Sequence, residues 1–130
     1  MTENNALGMT FKDGEVIIRQ GDTGDCMYVI QEGHVEVVVK LNEIETVLAV
    51  RNQGDFFGEM AIFNREIRMA TVRALGEVRV LSVDKRNLMR RIHEDPSLAY
   101  RIILALSQRI RELSDEVVRL DHKLLDLTGY

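Results

Sequence analysis

The rhythm of hydrophobic and polar positions changes once along the chain, at about Asp84. Before it, short β-branched and aromatic runs alternate with glycine punctuation. The runs are Val16–Ile18, Cys26–Ile30, Val35–Val39, Thr46–Val50, Ala70–Val72 and Val78–Val83. Turn signals fall between them at Asp13-Gly14, Gly21-Asp22, Thr23-Gly24-Asp25, Glu32-Gly33, Gly54-Asp55 and Gly76. Many short strands separated by regular turns predict an antiparallel sandwich, roll or barrel. No proline precedes Pro96, so these turns rely on glycine and its tolerance of positive φ.

After Asp84 the pattern is helical. Asp84 is placed to N-cap a short helix over about Lys85–His93, with Leu88, Met89 and Ile92 on its apolar side. Asp95-Pro96 signals a second start, an N-cap followed by proline in the first turn. From Pro96 to about Leu127 no proline or glycine interrupts the chain, which predicts a helix roughly 45 Å long. Its apolar positions repeat every three or four residues. One set is Ile103, Ile110, Val117 and Leu124; the other is Ala99, Leu106, Leu113, Leu120 and Leu127. Mostly β-branched residues in one set and leucine in the other favour a parallel two-stranded coiled coil. The alternative is an amphipathic helix lying on its own sheet, which usually carries a broader apolar face. One contact opposes the dimer: Glu116 would sit near Asp121 of a second copy, with Arg119 or Lys123 available to screen it.

Composition narrows the class. The chain has 130 residues, 45 % hydrophobic and 29 % charged, an ordinary globular mix. Its net charge of −4 is a poor balance for gripping a nucleic-acid backbone, though not for holding one small anion. Residues 1–50 carry three basic and nine acidic side chains, so the basic groups concentrate further along. A single cysteine, Cys26, rules out a disulfide framework within the chain and thiolate metal clusters; it is expected as a buried, inert core thiol. His34, His93 and His122 are dispersed and read as surface or capping groups, so no metal site is expected. Asp22–Asp25 lacks calcium-loop spacing. The chain has no membrane-length apolar run and no signal-peptide pattern at Met1–Asn5, and a cytoplasmic location is expected.

The chemistry concentrates in Gly54–Val72. Gly58 opens a short stretch of good helix formers, Glu59–Phe63, whose free backbone N–H groups suit an anionic oxygen. Arg68 lies just ahead of the next strand, where a guanidinium can meet the same anion. Glu59 cannot favour a phosphate, but its carboxylate can accept from a sugar hydroxyl. Together these make a plausible sugar-phosphate site; the plainer alternative is a surface ion pair between Glu59 and Arg68. Phe56, Phe57 and Phe63 are expected to anchor the segment in the core.

The stretch FGEMAIFNREIRMATV closely resembles the phosphate-binding cassette of the cyclic nucleotide-binding domain family. That family includes the regulatory subunits of protein kinase A and the bacterial catabolite activator proteins. The resemblance extends upstream through FKDGEVIIRQGDTGDCMYVIQEGHVEVVV and downstream through both helices, covering about residues 10–127. It implies an α+β fold, mainly β: an antiparallel jelly-roll β-roll of about eight strands, a short phosphate-binding helix and a C-terminal helix pair. The corresponding boundaries are 10–83 for the roll, 84–94 for the short helix and hinge, and 96–127 for the long helix, within one domain, 1–130.

The resemblance also assigns roles. Arg68 matches the arginine that pairs with the cyclic phosphate, Glu59 the glutamate on the ribose 2′-OH, and Gly58 the glycine whose backbone meets the ribose. Met60 and Ala61 fall where backbone amides reach the phosphate, and Ala70 where the strand edge backs it. Met69 stands where members that prefer cGMP often carry threonine, so cAMP is the expected ligand and cGMP the lesser one. Aligned through RIRELSDEVVRL, the threonine-serine pair over the adenine becomes Leu113-Ser114, leaving Ser114 near the base and Arg109 as a weaker candidate. The family's N-terminal helical segment is almost missing, since strand texture begins at Phe11.

The function expected is a non-catalytic regulatory module, homodimeric through the long helix, that reports occupancy through its C-terminal helices about a hinge at Arg91–Asp95. No nucleophile–base pair stands near the cassette. One alternative keeps the fold as a dimerisation or interaction module with a cGMP-binding, other-anion or empty pocket. A cupin-type metal enzyme is disfavoured by the scattered histidines. Asp126–Gly129 resembles the hinge that precedes a DNA-binding segment in catabolite activator proteins, but no helix-turn-helix follows within these residues, so direct DNA binding is not expected. Lys85, Arg86, Arg90 and Arg91 form the one basic cluster, read as a solvated helix face.

Overall fold

A computed structural model of the chain describes residues 8–64 and 67–128. The N-terminal stretch Met1–Asn5, the cassette positions 65–66 and Gly129 lie outside the described residues. The chain divides into two compact units, residues 1–88 and 89–130.

The first unit is an antiparallel six-stranded sheet carrying one short helix. Its strands are β1 (Met9–Phe11), β2 (Val16–Ile18), β3 (Cys26–Leu41), β4 (Ile44–Arg51), β5 (Phe56–Phe57) and β6 (Thr71–Asp84). Six strands stand where about eight were expected, because two pairs of predicted runs are continuous. Cys26–Ile30 and Val35–Val39 merge through Gly33 into β3; Ala70–Val72 and Val78–Val83 merge through Gly76 into β6.

Register shifts between Ile30 and His34 bend the β3–β6 ladder there. Gly33 makes the bend possible. Its φ is +91°, and a Cβ would stand 2.5 Å from the Glu77 carbonyl oxygen. Strand order runs β1-β6-β3-β4, with β2 also on β6 and β5 also on β3. The β3–β4 hairpin turns on Asn42 and Glu43, both at positive φ (52° and 66°), so this tight turn uses no glycine.

The core is the inward face of these strands: Ile18, Ile30, Val35, Phe57, Val72, Ala74, Val78 and Val80. Burying each large apolar side chain contributes about 1.5–3 kcal/mol. On the outer surface Arg73 ties three strands together. Its guanidinium meets Glu36 at 2.5 Å and also Glu45, and these contacts raise its already high pKa, Glu45 first.

Helix α2 (Lys85–Glu94) starts where expected, with the Asn87 N–H donating to Asp84 Oδ1 at 2.8 Å. The boundary between the two units falls inside it, after Leu88, its one buried residue. Helix α3 (Ser97–Thr128) runs for 32 residues. Asp95 caps it, accepting from the Ser97 backbone N–H at 3.2 Å and hydroxyl at 2.6 Å. The Ser97 hydroxyl holds the Asp95 carboxyl below the usual carboxylate range, helped by the backbone bond and by Arg101. Most heptad residues are exposed in the single chain, among them Ile103 62 %, Ile110 64 %, Leu113 67 % and Val117 65 %, while Ala99 and Leu106 are half-buried. Arg119 pairs with Glu116 along the helix and, with Lys123, lowers its pKa, so the awkward Glu116 charge is already screened within one chain.

Candidate ligand-binding site

Strand β5 anchors the cassette. Phe57 pairs with Tyr28 and Phe56 with Val29 on β3, and the Tyr28 and Phe57 rings stack at 5.3 Å. Both phenylalanines are buried, as expected. The chain then turns at Gly58, whose φ is +76°, and enters α1 (Met60–Asn64). The Ala61 N–H points back to the Gly58 carbonyl at 3.4 Å and the Ile62 N–H to Glu59 at 3.1 Å, closing the first turn. Ala61 and Ile62 face the core. Phe63 does not: it is 57 % exposed, because a five-residue helix has room for only one buried face and Ala61 and Ile62 take it.

Arg68 lies beyond α1, and its backbone is clamped first. Its N–H donates to the Asp22 carbonyl at 2.7 Å, its carbonyl accepts from Gly21 at 2.9 Å, and Ile67 bridges Thr23. The guanidinium then reaches inward, with Nη1 donating to the Gly58 carbonyl at 3.0 Å and Nη2 to the Cys26 carbonyl at 2.8 Å. The arginine is therefore held by three separated segments: the Gly21–Cys26 loop, Gly58 and its own strand lead. Its side chain borders a cleft of about 120 Å³ shared with Ile17–Arg19, Asp22, Thr23 and Tyr28.

Cys26 corrects an expectation. It is half-buried rather than buried, and its Sγ lies 4.0 Å from Arg68 Nη2. It sits at the start of β3, where the strand leaves the loop and the core has not yet closed over it. Tyr28 joins the cluster, its hydroxyl pushed up to about 12 chiefly by burial and then by its hydrogen bond to the Cys26 side chain. The signal for these residues was present in GDTGDCMY, read as a tight turn at Asp22–Asp25 followed by a strand from Cys26.

Gly58, Glu59, Met60, Ala61, Arg68, Met69 and Ala70 thus occupy one segment of the first unit. Glu59 and Ala70 are half-buried, whereas Met60 and Met69 are 57 % and 77 % exposed. Arg109 and Ser114 lie on α3, in the second unit. No group of three or more metal-ligating side chains occurs among the described residues.

A glycine-turned short helix facing a clamped arginine, on an antiparallel roll, defines a ligand-binding regulatory fold. The chain belongs to the cyclic nucleotide-binding domain family, whose model matches residues 9–95. Among its relatives is the cAMP-dependent protein kinase regulatory subunit of Dictyostelium discoideum, 37 % identical over 63 % of this chain and 26 % of that protein. The crystal structure of the Thermus thermophilus catabolite activator protein matches with a TM-score of 0.76 at 27 % identity, covering 86 % of this chain and 53 % of that one. The cAMP-bound form of the EAL enzyme Bd1971 matches with a TM-score of 0.60 at 29 % identity, covering 90 % of this chain and 32 % of that one. The same enzyme in its cGMP-bound form matches at 0.59 and 31 % identity, over 78 % and 27 % of the two chains. This chain spans about a fifth of the length of some curated relatives and about half of others, 19 % of the Mucor circinelloides kinase regulatory subunit and 54 % of the Escherichia coli cAMP-activated regulator. No helix among the described residues is long and apolar enough to cross a membrane.

Proposed function

We propose that this chain is a non-catalytic sensor that binds cAMP through its cassette and reports occupancy through its C-terminal helices. The observation that carries the proposal is the fixed guanidinium of Arg68. A guanidinium has five N–H donors, and the Gly58 and Cys26 carbonyls take two of them. Apart from a long contact of Nη2 to Cys26 Sγ, the remaining donors are the ones proposed for a singly charged cyclic phosphate, in an orientation set before the ligand arrives. Glu59 is the acceptor proposed for the ribose hydroxyl, and Gly58, Met60, Ala61 and Ala70 supply backbone around the phosphate.

Met69 favours cAMP, because a thioether cannot accept or donate as a threonine hydroxyl does toward guanine. The family resemblance alone nominates Ser114 and Arg109 for the base end. The exposed heptad seam of α3 supports a homodimer, through which the helices would pass on the state of each site. A ligand acts only if it binds one arrangement of the helices better than another.

Calorimetric titration with cAMP and cGMP tests the proposal. Binding of both with cAMP tighter is expected; no heat and no thermal shift with either would end it. Tighter cGMP would favour the second ligand, which one solved neighbour also carries.

A further inference from the structure

Two glycines flank the guanidinium of Arg68, and they differ in kind. Gly58 is at φ +76°, a conformation that calls for glycine in its own right, and a Cβ there would stand 2.8 Å from Nη1. Gly24 is the one described glycine outside the left-handed region, so its backbone does not call for glycine. Space does. A Cβ on Gly24 would stand 2.1 Å from Arg68 Nε, 2.3 Å from Cζ and 2.5 Å from Nη2. No other side chain or backbone atom stands closer to that position.

We infer that Gly24 is the positioning residue for the anion-binding arginine: its missing side chain leaves the space in which the Arg68 guanidinium lies against the Gly21–Cys26 loop. The loop cannot retreat from an added methyl group. It is tied to the Arg68 backbone on both sides of that residue, through Gly21 and Asp22, and bridged at Thr23–Ile67. The guanidinium is the far end of a flexible side chain and is the part that moves. Displacing it breaks the bonds to the Cys26 and Gly58 carbonyls, which set its direction. The inference rests on the proposal that Arg68 receives the cyclic phosphate.

The test is Gly24→Ala, alone and combined with Arg68→Ala. The single variant is expected to keep the wild-type circular dichroism, with a melting temperature a few degrees lower because two part-buried hydrogen bonds are lost. In the ligand-free protein its Arg68 Nε–H resonance should shift, and its Kd for cAMP should rise about tenfold. Alanine at position 68 removes all three atoms that the new Cβ would meet, so in the Arg68→Ala background Gly24→Ala should change the Kd little. An unshifted Nε–H resonance, a wild-type Kd, an equal loss in both backgrounds, or unfolding of Gly24→Ala would each overturn the inference. If the wild-type protein binds neither cAMP nor cGMP, the functional proposal falls, and the Nε–H resonance alone still decides whether Gly24 sets the guanidinium.

Discussion

Arg68 donates from Nη2 to the main-chain carbonyl of Cys26 at 2.8 Å, across 42 positions of sequence. A main-chain carbonyl cannot be removed by substitution, so this restraint survives changes of the Cys26 side chain. It holds the cation in one orientation without neutralising it, unlike a carboxylate partner. The entropy of ordering a long side chain is thereby spent at folding and not at binding.

Arg68→Ala is expected to weaken cAMP binding by at least about tenfold, given about 1.5–3 kcal/mol for each hydrogen bond to a charged group. Calorimetry against wild type measures this. Wild-type affinity in the variant would mean that the phosphate is held elsewhere.

Met69→Thr should move selectivity toward cGMP. Met69 is 77 % exposed, so the exchange should leave the melting temperature near wild type. One new neutral hydrogen bond corresponds to about 0.5–1.5 kcal/mol, or roughly a twofold to twelvefold gain in cGMP affinity relative to cAMP. Competition binding with both nucleotides reads the ratio, and an unchanged ratio would remove Met69 from the base end of the site.

Tyr28 should ionise well above the ordinary tyrosine value. Its folded pKa of about 12 lies above the ordinary 10.0, chiefly through burial and then through its hydrogen bond to Cys26. A raised folded pKa favours the protonated phenol. Its stabilising contribution is therefore full below pH 10 and is lost as the pH rises toward about 12. Ultraviolet titration follows the phenolate directly, and Cys26→Ala should lower the late midpoint. A titration with no phenolate appearing late, above the ordinary value, would contradict the Tyr28 environment.

Leu113→Glu should convert a dimer into a monomer. Leu113 is 67 % exposed in the single chain, in the middle of a heptad set that no residue of its own helix covers. Light scattering at tens of micromolar is expected to give twice the chain mass for wild type and the chain mass for the variant. A monomeric wild type would show that α3 is not a dimer seam under those conditions.

Local pattern determined much of this protein. The change of texture at Asp84, the caps at Asp84 and Asp95, the heptad of α3 and the glycine-led start of α1 each depend on residues within a few positions of one another. Nearest-neighbour sterics and capping bonds therefore made them legible. Gly58, Glu59 and Arg68 share one short segment, and it was the family resemblance of that segment that nominated them for a ligand.

What only the tertiary structure decided involves long-range pairing. Gly33 looked like a turn, and it became a bend inside β3 because β6 pairs along both arms of that strand. Phe63 looked like core, and it is exposed because α1 is one turn long and already buries Ala61 and Ile62. Cys26 looked inert, and it stands beside Arg68 because β3 begins where the cassette returns. Composition had framed Arg68 as a cation in a negative chain. The fold supplied its partners, because which carbonyls a guanidinium reaches depends on segments 10 and 42 residues away in sequence, brought together only by the sheet.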